Sequence, residues 1–258
     1  MRDGMTDEIT IYQKKMKELK NPLVLVCFPT MGVVSSIAAN FIATTLKLKR
    51  IGGMDATAFQ PAAVVHDGVP LPPVRIYGGK RVYKGERICS SFIVVMSEFV
   101  PPAPLVKPLA AKILDWAKDK GAPVVVSLES MPVKEEPLNT IGVTSTDNMK
   151  QLLKDYEVST MENGVVGGLS GVLLYLAEHS SQDMFCLISE AHQEYPDARA
   201  AANLIQALST LLPELRVDAE PLLQQAELIE AEVRQVKERA EELAPGASSI
   251  SPSDVMFR

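Results

Sequence analysis

Four short apolar runs constrain this chain more than any other feature. They are Leu23 to Phe28 (LVLVCF), Phe92 to Met96 (FIVVM), Val124 to Leu128 (VVVSL) and Met184 to Ser189 (MFCLIS). None alternates apolar with polar residues, so neither face of such a strand can be left to water. Helix-period stretches lie between them. Val34, Ile37, Ala38, Phe41 and Ile42 share one face after the first run, and Leu109, Ile113 and Trp116 or Ala117 share one after the second, stopped by Gly121. Leu173, Leu174, Tyr175 and Leu176 form an almost wholly apolar turn that reads as a buried helix. Buried strands alternating with helices predict an α/β fold with a mainly parallel central sheet and helices on both faces. Strand order is not readable from this pattern.

The stretches between these elements carry their own signals. Ile9 and Ile11 flank Thr10, which suits a short edge strand before the Asn21-Pro22 turn. From Arg50 to Arg87 the texture shifts to glycine, proline and alternating runs, Val74 to Tyr77 and Arg81 to Tyr83, with Gly78-Gly79 between them. This reads as an antiparallel excursion whose hairpin turn is Gly78-Gly79. Asp147 is the expected cap of a helix reaching Tyr156, and Asp197 that of a helix with Ala201, Leu204, Ile205, Leu208, Leu211 and Leu212 on its apolar face.

Pro213 ends that helix, and Pro221 suits the first turn of a last one. There Leu222, Ala226, Ile229, Val233, Val236, Ala240 and Leu243 repeat as a heptad seam. The seam is read first as a hairpin partner within one subunit, with a subunit interface as the alternative. Ala244 to Asp254 is small, polar and proline-interrupted, a flexible linker in composition. The expected organisation is an α/β core over 1–215, a heptad-patterned helix over 216–243 and a tail over 244–258.

Charge and cysteine usage narrow the function. A net charge of −6 offers no basic surplus for a nucleic-acid backbone. No apolar run reaches the ~18 residues of a membrane span, so a membrane role is not expected. Cys27 and Cys186 lie inside apolar runs and Cys89 is left over, which suits free thiols in a reducing, cytoplasmic setting.

Candidate chemistry concentrates at the end of the fourth run, where Glu190, His192 and Asp197 follow the strand. Open α/β sheets place working residues there, so an acid–base or metal site can be drawn. Against it, Asp197 has a capping role, Glu190 can accept from nearby backbone donors, and His66 and His179 lack ligand spacing to it. A structural role is favoured, with no metal and no cofactor expected. Gly168-Leu169-Ser170-Gly171 misses the G-x-S-x-G spacing of a nucleophile elbow, since Val172 takes the last position. Pro29-Thr30-Met31-Gly32 opens a helix after a strand but lacks the glycines and lysine of a phosphate loop, so it reads as a tight turn.

The last residues differ in kind. Met256, Phe257 and Arg258 put an apolar residue, an aromatic and a free carboxylate at the tip of the linker, a compact recognition unit. Burying Met256 and Phe257 is worth about 3–6 kcal/mol before ordering costs. One such tail binds weakly, so useful affinity needs several on one oligomer. A linker of this length reaches roughly 20 Å.

The chain resembles the proteasome assembly chaperone family, in particular its second-subunit type and archaeal homologues. The resemblance spans about Asn21 to Leu215. It is carried by NPLVLVCFPTMG, by SEF after FIVVM, and by NGVVGGLSGVLLYL followed by CLISEAHQEYPDARAAANLIQAL. It implies a phosphorylase-like α/β core without established catalysis, oligomeric assembly, and a hydrophobic–Tyr/Phe–X ending that docks between α-subunits of the proteasome core particle. Met256, Phe257 and Arg258 match that ending. Phe257 replaces the commoner tyrosine and loses its hydroxyl, and PTMG departs from relatives with more glycine at the first turn. The expected function is therefore a homo-oligomeric proteasome assembly chaperone or proteasome-binding protein. The alternative is a hydrolase or phosphorylase-like enzyme acting on a nucleoside-type molecule at Glu190 and His192.

Overall fold

The computed structural model describes residues 9–13, 19–80, 91–133, 139–213, 215 and 217–243. In chain order the strands are β1 (Thr10–Gln13), β2 (Pro22–Cys27), β3 (Lys49–Asp55), β4 (Val64–His66), β5 (Val69–Leu71), β6 (Val74–Lys80), β7 (Ser91–Ser97), β8 (Val124–Pro132), β9 (Thr140–Thr144) and β10 (Met184–Ala191). The helices are α1 (Val34–Thr45), α2 (Ala103–Asp119), α3 (Asp147–Asp155), α4 (Gly168–His179), α5 (Ala198–Leu211) and α6 (Glu220–Leu243).

Eight of these strands form one sheet in the order β1-β3-β6-β7-β2-β8-β10-β9. The four apolar runs are its centre: β7, β2, β8 and β10 are mutually parallel neighbours. Side chains leave them alternately to two cores. Leu23, Leu25 and Cys27 enter the layer of α1, α3, α5 and the start of α6, while Val24, Val26 and Phe28 enter that of α2 and α4. Every residue of β2, β7 and β10 is buried as a result. Each such large apolar side chain contributes about 1.5–3 kcal/mol relative to exposure. The expected mainly parallel, doubly covered α/β sheet is what forms.

The flanks are antiparallel. Strands β1, β3 and β6 close one side, with β1 as the short edge strand, and β9 pairs with β10 on the other. Gly78-Gly79 is not a hairpin turn. Strand β6 runs straight through it, pairing Gly78 with Ile93 and Gly79 with Phe92. A Cβ on Gly78 would lie 2.8 Å from Ile51 Cδ1 and Leu19 Cδ1, and one on Gly79 2.8 Å from Leu48 Cδ2. Close packing, not turn geometry, is why glycine stands there. The hairpin in this region joins β4 to β5 through Asp67 and Gly68, both at positive φ (49° and 74°), the geometry of a two-residue primed turn. Arg81 to Tyr83 and Cys89 lie outside the described residues.

Helix starts follow local chemistry, with one correction. Thr146, not Asp147, caps α3, its hydroxyl accepting from the Met149 N–H at 3.3 Å; Asp147 is already in the first turn. Asp197 caps α5 as expected, accepting from the Ala200 N–H at 2.8 Å. Helix α4 buries Leu173 and Leu174 but leaves Tyr175 46% exposed, so it is a one-faced helix, not a fully buried one. Helix α6 packs back on α5, burying Leu222 and Ala226 and pairing Glu230 with Arg199 at 2.8 Å. The side chains of Val233, Val236, Ala240 and Leu243 lie outside the described residues.

Within four residues of each other, Gly167 and Gly171 face opposite surroundings. A Cβ on Gly171 would run into the Val166 carbonyl, whereas one on Gly167 would meet nothing within 4 Å. Gly171→Ala should destabilise the protein by about 1–3 kcal/mol, overcoming alanine's helix preference. Gly167→Ala should stay within roughly 0.5 kcal/mol of the parent. Urea unfolding of the two variants checks the contrast.

Candidate functional site

The carboxyl ends of β2, β8 and β10 converge at one end of the sheet, and three loops meet there. After β2 comes the PTMG turn, a 3₁₀ turn in which Gly32 and Val33 both take positive φ (59° and 52°). For a β-branched residue this is a strained conformation, costing about 1–3 kcal/mol. It is held from three sides. The Asp197 N–H donates to the Gly32 carbonyl at 2.9 Å, the Ser130 hydroxyl to the Met31 carbonyl at 2.9 Å, and the Ser35 N–H to Thr30 Oγ1 at 3.1 Å. A Cβ on Gly32 would lie 2.7 Å from the His192 carbonyl oxygen, so only glycine lets these loops meet.

The predicted trio separates into two arrangements. Asp197 is buried and accepts from the His192 N–H at 2.9 Å while its carboxylate also pairs with His192 Nδ1 at 2.9 Å. The His192 ring stacks on Tyr195 with centroids 5.1 Å apart. Glu190 is turned to Asn139, accepting from its backbone N–H at 3.0 Å and its side-chain amide at 3.1 Å. His192 and Asp197 thus fasten the turn before α5, and Glu190 fastens the start of β9. Met256, Phe257 and Arg258 lie outside the described residues. Among the described residues, no three His, Cys, Asp or Glu side chains are grouped to hold a metal ion.

A third carboxylate escaped the sequence reading. Glu129 follows the VVVSL run within β8 and faces a cavity of about 370 Å³ between the ends of β2 and β8 and the start of α4. Burial pushes its carboxyl up to about 7; the Ser130 N–H, 3.2 Å away, and the Ser170 hydroxyl pull the other way. The signal available in the sequence was a lone acid placed directly after a wholly apolar strand. Cys27 and Cys186 are buried thiols raised to about 12, chiefly by that burial, and are inert as nucleophiles. A bidentate Arg75–Glu98 pair, with Arg75 buried, anchors the loop leaving β7.

A family model described as the PAC2 family matches residues 24–237. The chain belongs to the PAC2 family. The match takes in every strand from β2 onward, the fastened turns and most of α6. Among solved structures, Pyrococcus furiosus PbaA, an archaeal homolog of a proteasome-assembly chaperone, is 30% identical. It superposes with a TM-score of 0.79 over 91% of this chain and 94% of its own. Pyrococcus furiosus PbaB, an archaeal proteasome activator, shares the fold at 20% identity and a TM-score of 0.78, over 90% of this chain and all of its own. An uncharacterised Methanocaldococcus jannaschii protein is 31% identical over 91% of this chain and 93% of its own. The turn built on Gly32, Ser130 and Asp197 lies within the matched residues and forms part of the frame of this chain.

Two variants test this frame. Asp197→Ala removes a cap and leaves the His192 and Ala200 amides unmet, and should cost about 2–4 kcal/mol by urea denaturation. Glu129 gives a pH signature. Because its folded pKa is raised from 4.5 to about 7, the folded state holds the proton more tightly. Its contribution is intact below 4.5 and lost as pH rises towards 7. Glu129→Gln should therefore gain on the order of 2 kcal/mol over the parent between pH 5 and pH 8. Equal pH profiles for the two proteins would contradict the shift.

Proposed function

We propose that this PAC2 protein is a proteasome assembly chaperone or proteasome-binding protein. In this reading it is homo-oligomeric and docks Met256, Phe257 and Arg258 between α-subunits of the core particle. The observation that carries the reading is 30% identity to PbaA, an archaeal homolog of a proteasome-assembly chaperone, across 91% of the chain. The Met256-Phe257-Arg258 segment supports the docking step, since it supplies an apolar residue and an aromatic after a proline-broken polar stretch. The engagement of Glu190 by Asn139 and of Asp197 by the α5 cap supports a fastening role over an enzymatic one at that end of β10.

One tail gains too little to hold a large partner, so binding rests on several tails of one oligomer acting together. Removing residues 256–258 should abolish co-sedimentation with purified archaeal core particles while the oligomer elutes unchanged in gel filtration. Phe257→Ala should weaken binding at least tenfold, and Phe257→Tyr should strengthen it through the added hydroxyl. Undiminished co-sedimentation of the truncated protein would sink the docking role.

A further inference from the structure

We propose that the cavity beside Glu129 is a binding site for a small organic cation, a compact apolar body carrying an amine or amidine that pairs with the Glu129 carboxylate. The site is independent of the tail and of any partner the tail engages.

Its position comes from topology. Strands β2 and β8 are adjacent and parallel, yet the chain leaves β2 through α1 for β3 on one flank and leaves β8 for β9 on the other. Where connections diverge from neighbouring strands, a crevice opens at their carboxyl ends, and α/β sheets take ligands there. Here the crevice measures about 370 Å³, within the range of small-molecule sites.

Its chemistry selects the ligand. Val106, Met131, Met161, Val166 and Leu169 make the walls apolar. Among the described residues that line the cavity, Glu129 is the one ionisable side chain, and none is a lysine, arginine or histidine that would receive an anion. A carboxylate has about four acceptor positions. The Ser130 N–H and the Ser170 hydroxyl address two of them, leaving capacity for a two-pronged donor such as an amidinium. In such a half-buried apolar setting a carboxylate gains most from a cation that arrives with its own apolar cover.

Access is open. Val165, 93% exposed, and Val100, 65% exposed, stand at the rim. A Cβ at Gly167 or Gly168, on the lining beside them, would meet nothing within 4 Å. The wall formed by the start of α4 therefore has free space beside it instead of packed neighbours.

Calorimetric titration of the full-length protein at pH 8 tests the site. The probes are benzamidine and benzylamine; benzoate and benzyl alcohol match them in size without the cation. Benzamidine should bind saturably with a dissociation constant of about 1 mM or tighter, as expected for so small a ligand, and benzylamine should compete with it. Benzoate should not bind. Glu129→Gln, which keeps the side chain's shape and so the fold, should weaken benzamidine at least tenfold, and Ser170→Ala should weaken it by a smaller factor. Absence of saturable binding by either cation would overturn the proposal. So would benzoate binding as well as benzamidine, or an unchanged constant in Glu129→Gln.

Discussion

The structure depends on the need to keep water from both faces of four parallel strands. An apolar, unalternating strand such as Leu23 to Phe28 has no face that tolerates exposure, so each side of the sheet must be roofed by helices. Two separate cores follow, one under α1, α3, α5 and α6 and one under α2 and α4. Parallel pairing then forces the connections between these four strands to cross from one end of the sheet to the other. All the central carboxyl ends, with their loops, are thereby collected at a single end. The strained turn at Gly32 and Val33, the Glu190 to Asp197 segment and the Glu129 cavity are neighbours for that reason, although over 160 residues separate Met31 from Asp197 in sequence.

That convergence explains what the long segment from Asn163 to Ala202 does. Its glycines and its EAHQEYPD turn have the residue types of a catalytic loop, yet their contacts are those of a clasp. Asp197 caps α5, orients His192 and donates its own N–H to Gly32, so one residue ties β10, α5 and the turn after β2 together. A left-handed valine persists only where surroundings over-determine it, and two hydrogen bonds from distant segments, with a third local to the turn, meet that requirement.

Much of the frame was legible because burial writes a strong local pattern. All four central strands, α1, α2, α5 and α6, and the Asp197 cap can be read from spacing alone. The failures share one cause, which is that the same residue type serves two physical ends. Gly78-Gly79 has the composition of a turn but answers to the crowding of Ile51, Leu19 and Leu48, all distant in sequence. Asp147 is as good a cap as Thr146, and which of them caps is decided by where the backbone leaves the extended form (Thr146, φ −135°, ψ 159°). Strand β9 is short and mixed in character, and exists because β10 offers it an edge. Of the candidate trio, the His192–Asp197 pair is five residues apart and legible. The partnership of Glu190 with Asn139 spans 51 residues and is not. Glu129 was missed because one acid after an apolar run carries no spacing; only the fold reveals the cavity it faces.

The distribution of charge separates Glu129 from the other carboxylates at this end of the sheet. At the carboxyl end of the sheet, the carboxylates are individually committed: buried Asp197 to backbone amides and an imidazole, buried Glu190 to Asn139, and exposed Glu98 to the buried Arg75. A group so engaged loses more on leaving its partner than a passing substrate returns, which suits a rigid frame and not acid–base turnover. Glu129 is half-buried against apolar walls with no cation among the described residues lining its cavity, the unfavourable state that its raised pKa records.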